Sequence, residues 1–177
     1  VPLPELESRM LCFRSRMDTD HPAWALAAIF GRINLYYFTG TIQDGVLVIP
    51  REDEAVFWVR RSIERAGEES AFPQIRPMSS YRDAASTYRH FPPVLFAETE
   101  AVPLAVFERF RKHFPVQEIR SLDLQILRVR AVKSPFELAL MEEAGGIHRQ
   151  VLEDDVPGML RAGMSEAELA TQVYGRM

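Results

Sequence analysis

The side chains able to do chemistry in this 177-residue chain are few and scattered. The four histidines are His21, His90, His113 and His148. No two stand at metal-ligand spacing, and no H-E-x-x-H occurs. His113 falls on the apolar side of a helical pattern, where a core or boundary histidine is expected, and His148 reads as a helix-face residue. Glu153-Asp154-Asp155 is the densest acidic run, but adjacent carboxylates on a helix point in different directions and do not converge on one ion. Glu52-Asp53-Glu54 reads as turn chemistry. Cys12, the sole cysteine, has no activating neighbour in sequence and is expected to be a packed thiol. There is no G-x-S-x-G elbow and no phosphate-cradling glycine loop. Ser165, in Gly163-Met164-Ser165-Glu166-Ala167, fits a helix cap better than a nucleophile. No catalytic residue and no metal ligand can be assigned.

One aromatic-rich segment asks for a reason: Asn34-Leu35-Tyr36-Tyr37-Phe38-Thr39-Gly40. Asn34 can cap a short helical turn and Gly40 can close it, with the three aromatics packed beneath a sheet.

The elements around these residues follow from periodicity. Val46-Leu47-Val48-Ile49, stopped by Pro50, reads as a strand, and Ala55–Val59 as its hairpin partner across a polar turn. Trp24–Ile29 reads as a buried strand, with its alanines also compatible with helix. Val94–Ala97 and Val116–Ile119 read as further strands. Helices are expected over Tyr81–His90 and Pro103–Phe114. This mixture indicates an α/β domain over residues 1–121.

After Ser121 no strand is expected. Leu124, Leu127, Val129 and Val132 lie on a short helix or linker. Ser134-Pro135-Phe136-Glu137 is a helix start: Ser134 caps, Pro135 sits where its missing N–H costs nothing, and Glu137 can bond back. Leu140, Ala144, Ile147 and Val151 then form one apolar stripe. Gly145-Gly146 inside it costs roughly 1 kcal/mol per glycine against alanine, so the helix bends there or something packs close. Pro157-Gly158 ends or interrupts the region, and Ser165–Glu168 is a second capping box. The helix it starts runs to Met177 without a stop signal, so the chain is expected to be the front of a longer protein.

Composition sets the outer limits. Lys plus Arg number 21 against 25 Asp plus Glu, a net charge of -4, which argues against a general nucleic-acid binder. No apolar run approaches the roughly 18 residues of a membrane span, and the N-terminus carries no secretory pattern. A single cysteine suits a reducing, cytoplasmic setting.

Three separated segments together resemble one family. Asn34–Gly40 resembles the N-x-x-Y-[LF]-[TS]-G segment of the creatinase and prolidase N-terminal domain. Arg130-Ala131-Val132-Lys133-Ser134-Pro135-Phe136-Glu137 resembles the R-x-[IV]-K-S-x-x-E segment that opens the catalytic domain of those proteins, and Gly163-Met164-Ser165-Glu166 the G-[MT]-[ST]-E turn one helix later.

The resemblance implies a three-layer N-terminal domain, a mixed sheet flanked by helices, over residues 1–121. Residues 122–177 would be the linker and first helices of a truncated "pita-bread" domain. It implies a parent protein that is a metal-dependent Xaa-Pro peptidase, with two divalent ions (Mn, Co or Zn) held by residues beyond this chain and none held within it. A non-catalytic peptide- or protein-binding relative and a creatinase-like small-molecule hydrolase are the alternatives. The N-terminal domain of such proteins mediates homodimerisation and leans over the partner subunit's active site. The stretch implicated is Thr41, Ile42, Gln43 and Asp44, with Gln43 and Asp44 offering hydrogen bonds to a peptide substrate's backbone or N-terminus.

Overall fold

The computed structural model describes residues 1–100 and 102–176. They form two compact units, Val1–Ala131 and Val132–Met177.

The first unit is built on a six-stranded sheet: β1 (Leu26–Ile29), β2 (Gly45–Pro50), β3 (Val56–Val59), β4 (Ile75–Pro77), β5 (Val94–Ala97) and β6 (Glu118–Ser121). Their order across the sheet is β4-β3-β2-β1-β5-β6. β1–β2 and β2–β3 are antiparallel, while β3–β4, β1–β5 and β5–β6 are parallel. The sheet is therefore mixed, as expected, and the 46–49/55–59 hairpin is present with Val46 opposite Trp58.

Both faces of the central strands are buried, and side-chain alternation divides them between two cores. Ala27, Ile29, Leu47, Ile49, Phe57 and Phe96 face one layer. That layer comprises α1 (Leu3–Asp20), α2 (Arg32–Thr39), α3 (Ile63–Glu69) and α6 (Asp123–Ala131). Leu26, Ala28, Val46, Val48, Trp58 and Leu95 face the other layer, α4 (Tyr81–Ala85) and α5 (Leu104–Arg111). This second core is aromatic. Phe30 meets Tyr81, Phe107 and Phe110 edge-on, and Phe110 stacks on Phe114 at 4.0 Å between centroids.

Several expectations are revised. The strand in Trp24–Ile29 starts at Leu26, and β6 lies two residues later than Val116–Ile119. The helix expected over Tyr81–His90 stops at Ala85, and the one over Pro103–Phe114 spans Leu104–Arg111. Cys12 is exposed and not a packed thiol, because α1 buries the stripe Leu6, Arg9, Phe13 and Met17, and position 12 lies off it. Of the three aromatics, Tyr37 and Phe38 are buried but Tyr36 is 47% exposed.

The second unit is helical: α7 (Pro135–Arg149), a π-helical segment (Gln150–Asp155), α8 (Val156–Met159) and α9 (Glu166–Tyr174). Both capping boxes form. The Ser134 hydroxyl accepts from Glu137 N and the Glu137 carboxylate accepts from Ser134 N. Ser165 and Glu168 repeat the pattern. Gly145 and Gly146 sit inside α7 with nothing within 4 Å of where a Cβ would point, so close packing is not their reason. The helical path instead widens immediately afterwards, at Gln150. Pro157 follows the π-helical segment at the start of α8. α9 ends at Gly175.

Candidate functional site

The segment implicated by sequence lies between α2 and β2, and its conformation is set residue by residue. Gly40 closes α2 in the left-handed region, with φ 77° and ψ 3°, and its N–H returns to the Tyr36 carbonyl at 2.8 Å. The chain then reverses into Thr41, which is buried. The Thr41 hydroxyl donates to Glu69 Oε2 at 2.7 Å, and Gln43 Nε2 donates to the same oxygen at 3.2 Å. Arg65 Nε donates to the other oxygen, Oε1, at 2.5 Å. Ser70, the next residue, donates from its hydroxyl to the Thr39 carbonyl. The C-terminal end of α3 thus holds the 39–43 segment from one side.

The outer side of the loop is open. Ile42 is 46% exposed, and the Asp44 carboxylate is 63% exposed with Arg60 Nε 3.8 Å away. The Asp44 carbonyl accepts from Arg60 N at 2.8 Å, which starts the β2–β3 ladder. Gln43 and Asp44 therefore differ. Gln43 commits an amide N–H to Glu69, whereas Asp44 presents a solvated carboxylate on a backbone fixed by the ladder.

Glu69 has an electrostatic signature. Hydrogen bonds from Thr41, then Gln43 and Arg65, hold its carboxyl below the usual glutamate range, against a smaller upward push from burial. A lowered folded-state pKa means the unfolded chain binds more protons, so this contribution is present above the unfolded-state value and is lost as pH falls through the folded one. The denaturation midpoint of wild type is expected to exceed that of Glu69→Gln at neutral pH. The gap should close as pH drops below the ordinary glutamate range. A gap unchanged into acid would show that the carboxylate charge is not what holds the loop.

The other end of α2 carries a second network. Glu98, just after β5, is 2% exposed. Its Oε2 accepts from the backbone N–H groups of Phe30 and Gly31, both at 2.6 Å, and its Oε1 from Asn34 Nδ2 at 2.5 Å. Asn34 Oδ1 in turn accepts from Arg130 Nη1 at 2.9 Å. Asn34 is thus not the cap expected from sequence. Gly31 occupies that position, and Asn34 sits in the first turn bridging β5 to α6. Arg9 lies 4.3 Å from the centroid of the Tyr37 ring and donates to the Tyr37 carbonyl. The two segments quoted for the resemblance, around Asn34 and Arg130, meet here, and the contact is architectural.

Among the described residues no group of three or more His, Cys, Asp or Glu side chains is placed to hold a metal ion. His148 is exposed on α7, and Glu153, Asp154 and Asp155 lie on the π-helical segment. Among the described residues no helix is long and apolar enough to cross a membrane.

A mixed six-stranded sheet between helical layers, with a loop held outward at one end of its second helix, defines an α/β domain. Residues 9–132 match the family model described as the creatinase/prolidase N-terminal domain, and the chain belongs to that family. No curated protein sequence matches the chain. Among solved structures it is similar to the prolidase from Pyrococcus horikoshii OT3, at 22% identity and a TM-score of 0.80, over 96% of this chain and 48% of that one. It is also similar to an Xaa-Pro dipeptidase from Bacillus anthracis, at 17% identity and a TM-score of 0.81, over 97% and 48%. The creatinase/prolidase N-terminal domain of an X-Pro dipeptidase from Streptococcus pyogenes matches at 15% identity and a TM-score of 0.56, over 68% of this chain and 98% of that one. At these identities the likeness is one of fold. The chain spans about half the length of the first two structures.

Proposed function

We propose that this chain is the N-terminal, non-catalytic part of a metal-dependent Xaa-Pro peptidase, serving dimerisation and access of substrate to the active site. The observation that carries the reading is the family match over residues 9–132, followed by a second helical unit that remains inside the alignment with an Xaa-Pro dipeptidase. The two divalent ions, Mn, Co or Zn, would be bound by residues outside this chain and would activate the water that attacks the peptide carbonyl. The protein would act in the cytoplasm as a homodimer on short peptides. The test is hydrolysis of Xaa-Pro dipeptides by the full-length protein with and without Mn²⁺. Metal-dependent cleavage is expected. A full-length protein that binds such peptides without cleaving them would move the assignment to a non-catalytic relative.

Within that reading, the 41–44 loop contacts substrate across the dimer. Asp44 is suited to a cationic peptide N-terminus, because its carboxylate is solvated and its backbone is fixed. Gln43 is held by Glu69 and sets the loop's position. In the full-length enzyme Asp44→Ala is expected to lower kcat/KM toward Xaa-Pro substrates about tenfold, the scale of one charge-assisted hydrogen bond. Gln43→Ala should have a smaller effect of the same sign. Unchanged kinetics in both would remove the loop from substrate recognition.

A further inference from the structure

The face of the first unit formed by α4 and α5 carries a cavity of about 260 Å³ that the reading above does not use. Its cationic lining comes from three elements: Arg60 just after β3, and Arg109 and Lys112 from the end of α5, with the His113 imidazole beside them. Ser79, Ser80 and Tyr81 also line it.

The groups are positioned rather than merely close. The Tyr81 ring is buried, and its hydroxyl accepts from Arg60 Nη2 at 3.2 Å, with the guanidinium 5.5 Å from the ring centroid. Burial pushes the Tyr81 phenol up, against the pull of Arg60 and Arg109, so it stays a hydrogen-bond donor at neutral pH. Arg109 lines the cavity and is tethered through Nε to the Ala105 carbonyl at 3.0 Å, a bond that does not use its two terminal nitrogens. Among the described residues no carboxylate pairs with Arg109 or Lys112.

Two acids lie close to this cavity, Asp44 with a largely solvated carboxylate and Asp83 held by backbone. Asp44 lies 3.8 Å from Arg60. Asp83 accepts from the backbone N–H groups of Ser79 and Ser80, which hold its carboxyl low, with His113 adding a weaker pull. A second cavity of about 420 Å³ shares Arg60 and Ser79 and adds Arg61. Glu64 and Asp83 also line that second cavity, so the space continues beyond the room needed for a single tetrahedral anion, with Arg61 as its added cation.

We infer that Arg60, Arg109, Lys112 and the Tyr81 hydroxyl form a binding site for a phosphorylated small molecule, with the phosphoryl group held between the end of β3 and the last turn of α5. Planar guanidinium groups and an ammonium converging on one cavity suit a multiply charged oxyanion better than a monocarboxylate.

The test is calorimetric titration of the 177-residue chain with inorganic phosphate and with pyrophosphate. One saturable site per chain is expected, with pyrophosphate tighter because it reaches the Arg61 side. Equal affinities would identify a single phosphoryl group as the whole ligand. The double variant Arg109→Ala/Lys112→Ala, both exposed positions, should retain its fold by circular dichroism and lose affinity about tenfold. Arg111→Ala, on the same helix but outside the cavity, should stay within about twofold. Absence of saturable binding, or an equal loss in Arg111→Ala, would overturn the site.

Discussion

Gly45→Ala is expected to remove about 4 kcal/mol of stability from the first unit, more than the usual range for a single added methyl group. Gly45 opens β2 opposite Val59. A Cβ placed there would lie 2.1 Å from the Trp58 carbonyl oxygen and 2.9 Å from Phe57 Cε2. The obstacle is main chain, and it is held from both sides. Trp58 pairs with Val46 on β2 and with Arg76 on β4. No side-chain rotation can relieve the contact, so the strand pair must open where the 41–44 loop enters it. Both tryptophans, Trp24 and Trp58, belong to the first unit, so their fluorescence in a urea titration reads this unit alone. A loss below about 1 kcal/mol would show that the β2–β3 ladder yields at little cost.

The second large effect is expected at Glu98. Glu98→Ala strands the N–H groups of Phe30 and Gly31 and the Asn34 amide in a buried site, and also leaves a cavity. Unsatisfied buried donors cost about 1–3 kcal/mol each, with part recovered by local relaxation and entering water, so a net loss of about 4 kcal/mol is expected. Glu98→Gln should cost less. Its carbonyl oxygen can still accept both backbone N–H groups, but its NH₂ must face the Asn34 NH₂. Asn34 then has to turn over and surrender its bond from Arg130. Gly31 provides an independent check, because a Cβ there would stand 2.5 Å from Glu98 Oε1. Gly31→Ala should therefore be costly in the wild type and much milder in the Glu98→Ala background. Additive losses would mean that the glycine and the carboxylate do not share one space.

What the sequence disclosed and what it concealed divide along physical range. The capping boxes at Ser134 and Ser165 were legible because every atom involved lies within four residues. The strands at Val46–Ile49 and Val94–Ala97 were legible because a short branched run bounded by proline has few alternatives. α1 was not, because its buried stripe includes Arg9, a charge made tolerable by partners that include Glu5 and the Tyr37 carbonyl. β4 has three residues, too few for alternation to register, and α3 follows Ser62 in a left-handed conformation that no local signal announces.

The same division applies to the loop. Gln43 and Asp44 came from resemblance, whereas Glu69, which holds the loop, bonds across 26 and 28 residues and left no local trace. Asn34 looks like a cap in sequence because the groups it binds, Glu98 and Arg130, are 64 and 96 residues away. His113 was expected at a core or boundary position, and the structure sets it half-buried at the rim of the basic cavity.

The pairing of the first helix with the last one in this unit has a consequence for synthesis. Asp20, at the end of α1, accepts from Gln125 and Arg128 across 105 and 108 residues, and β1 pairs in parallel with β5. α1 can meet α2 early, through Phe13 and Phe38, but its ties to α6 exist only once almost the whole unit has been made. These long-range ties predict that the unit closes late and cooperatively rather than growing from its N-terminus.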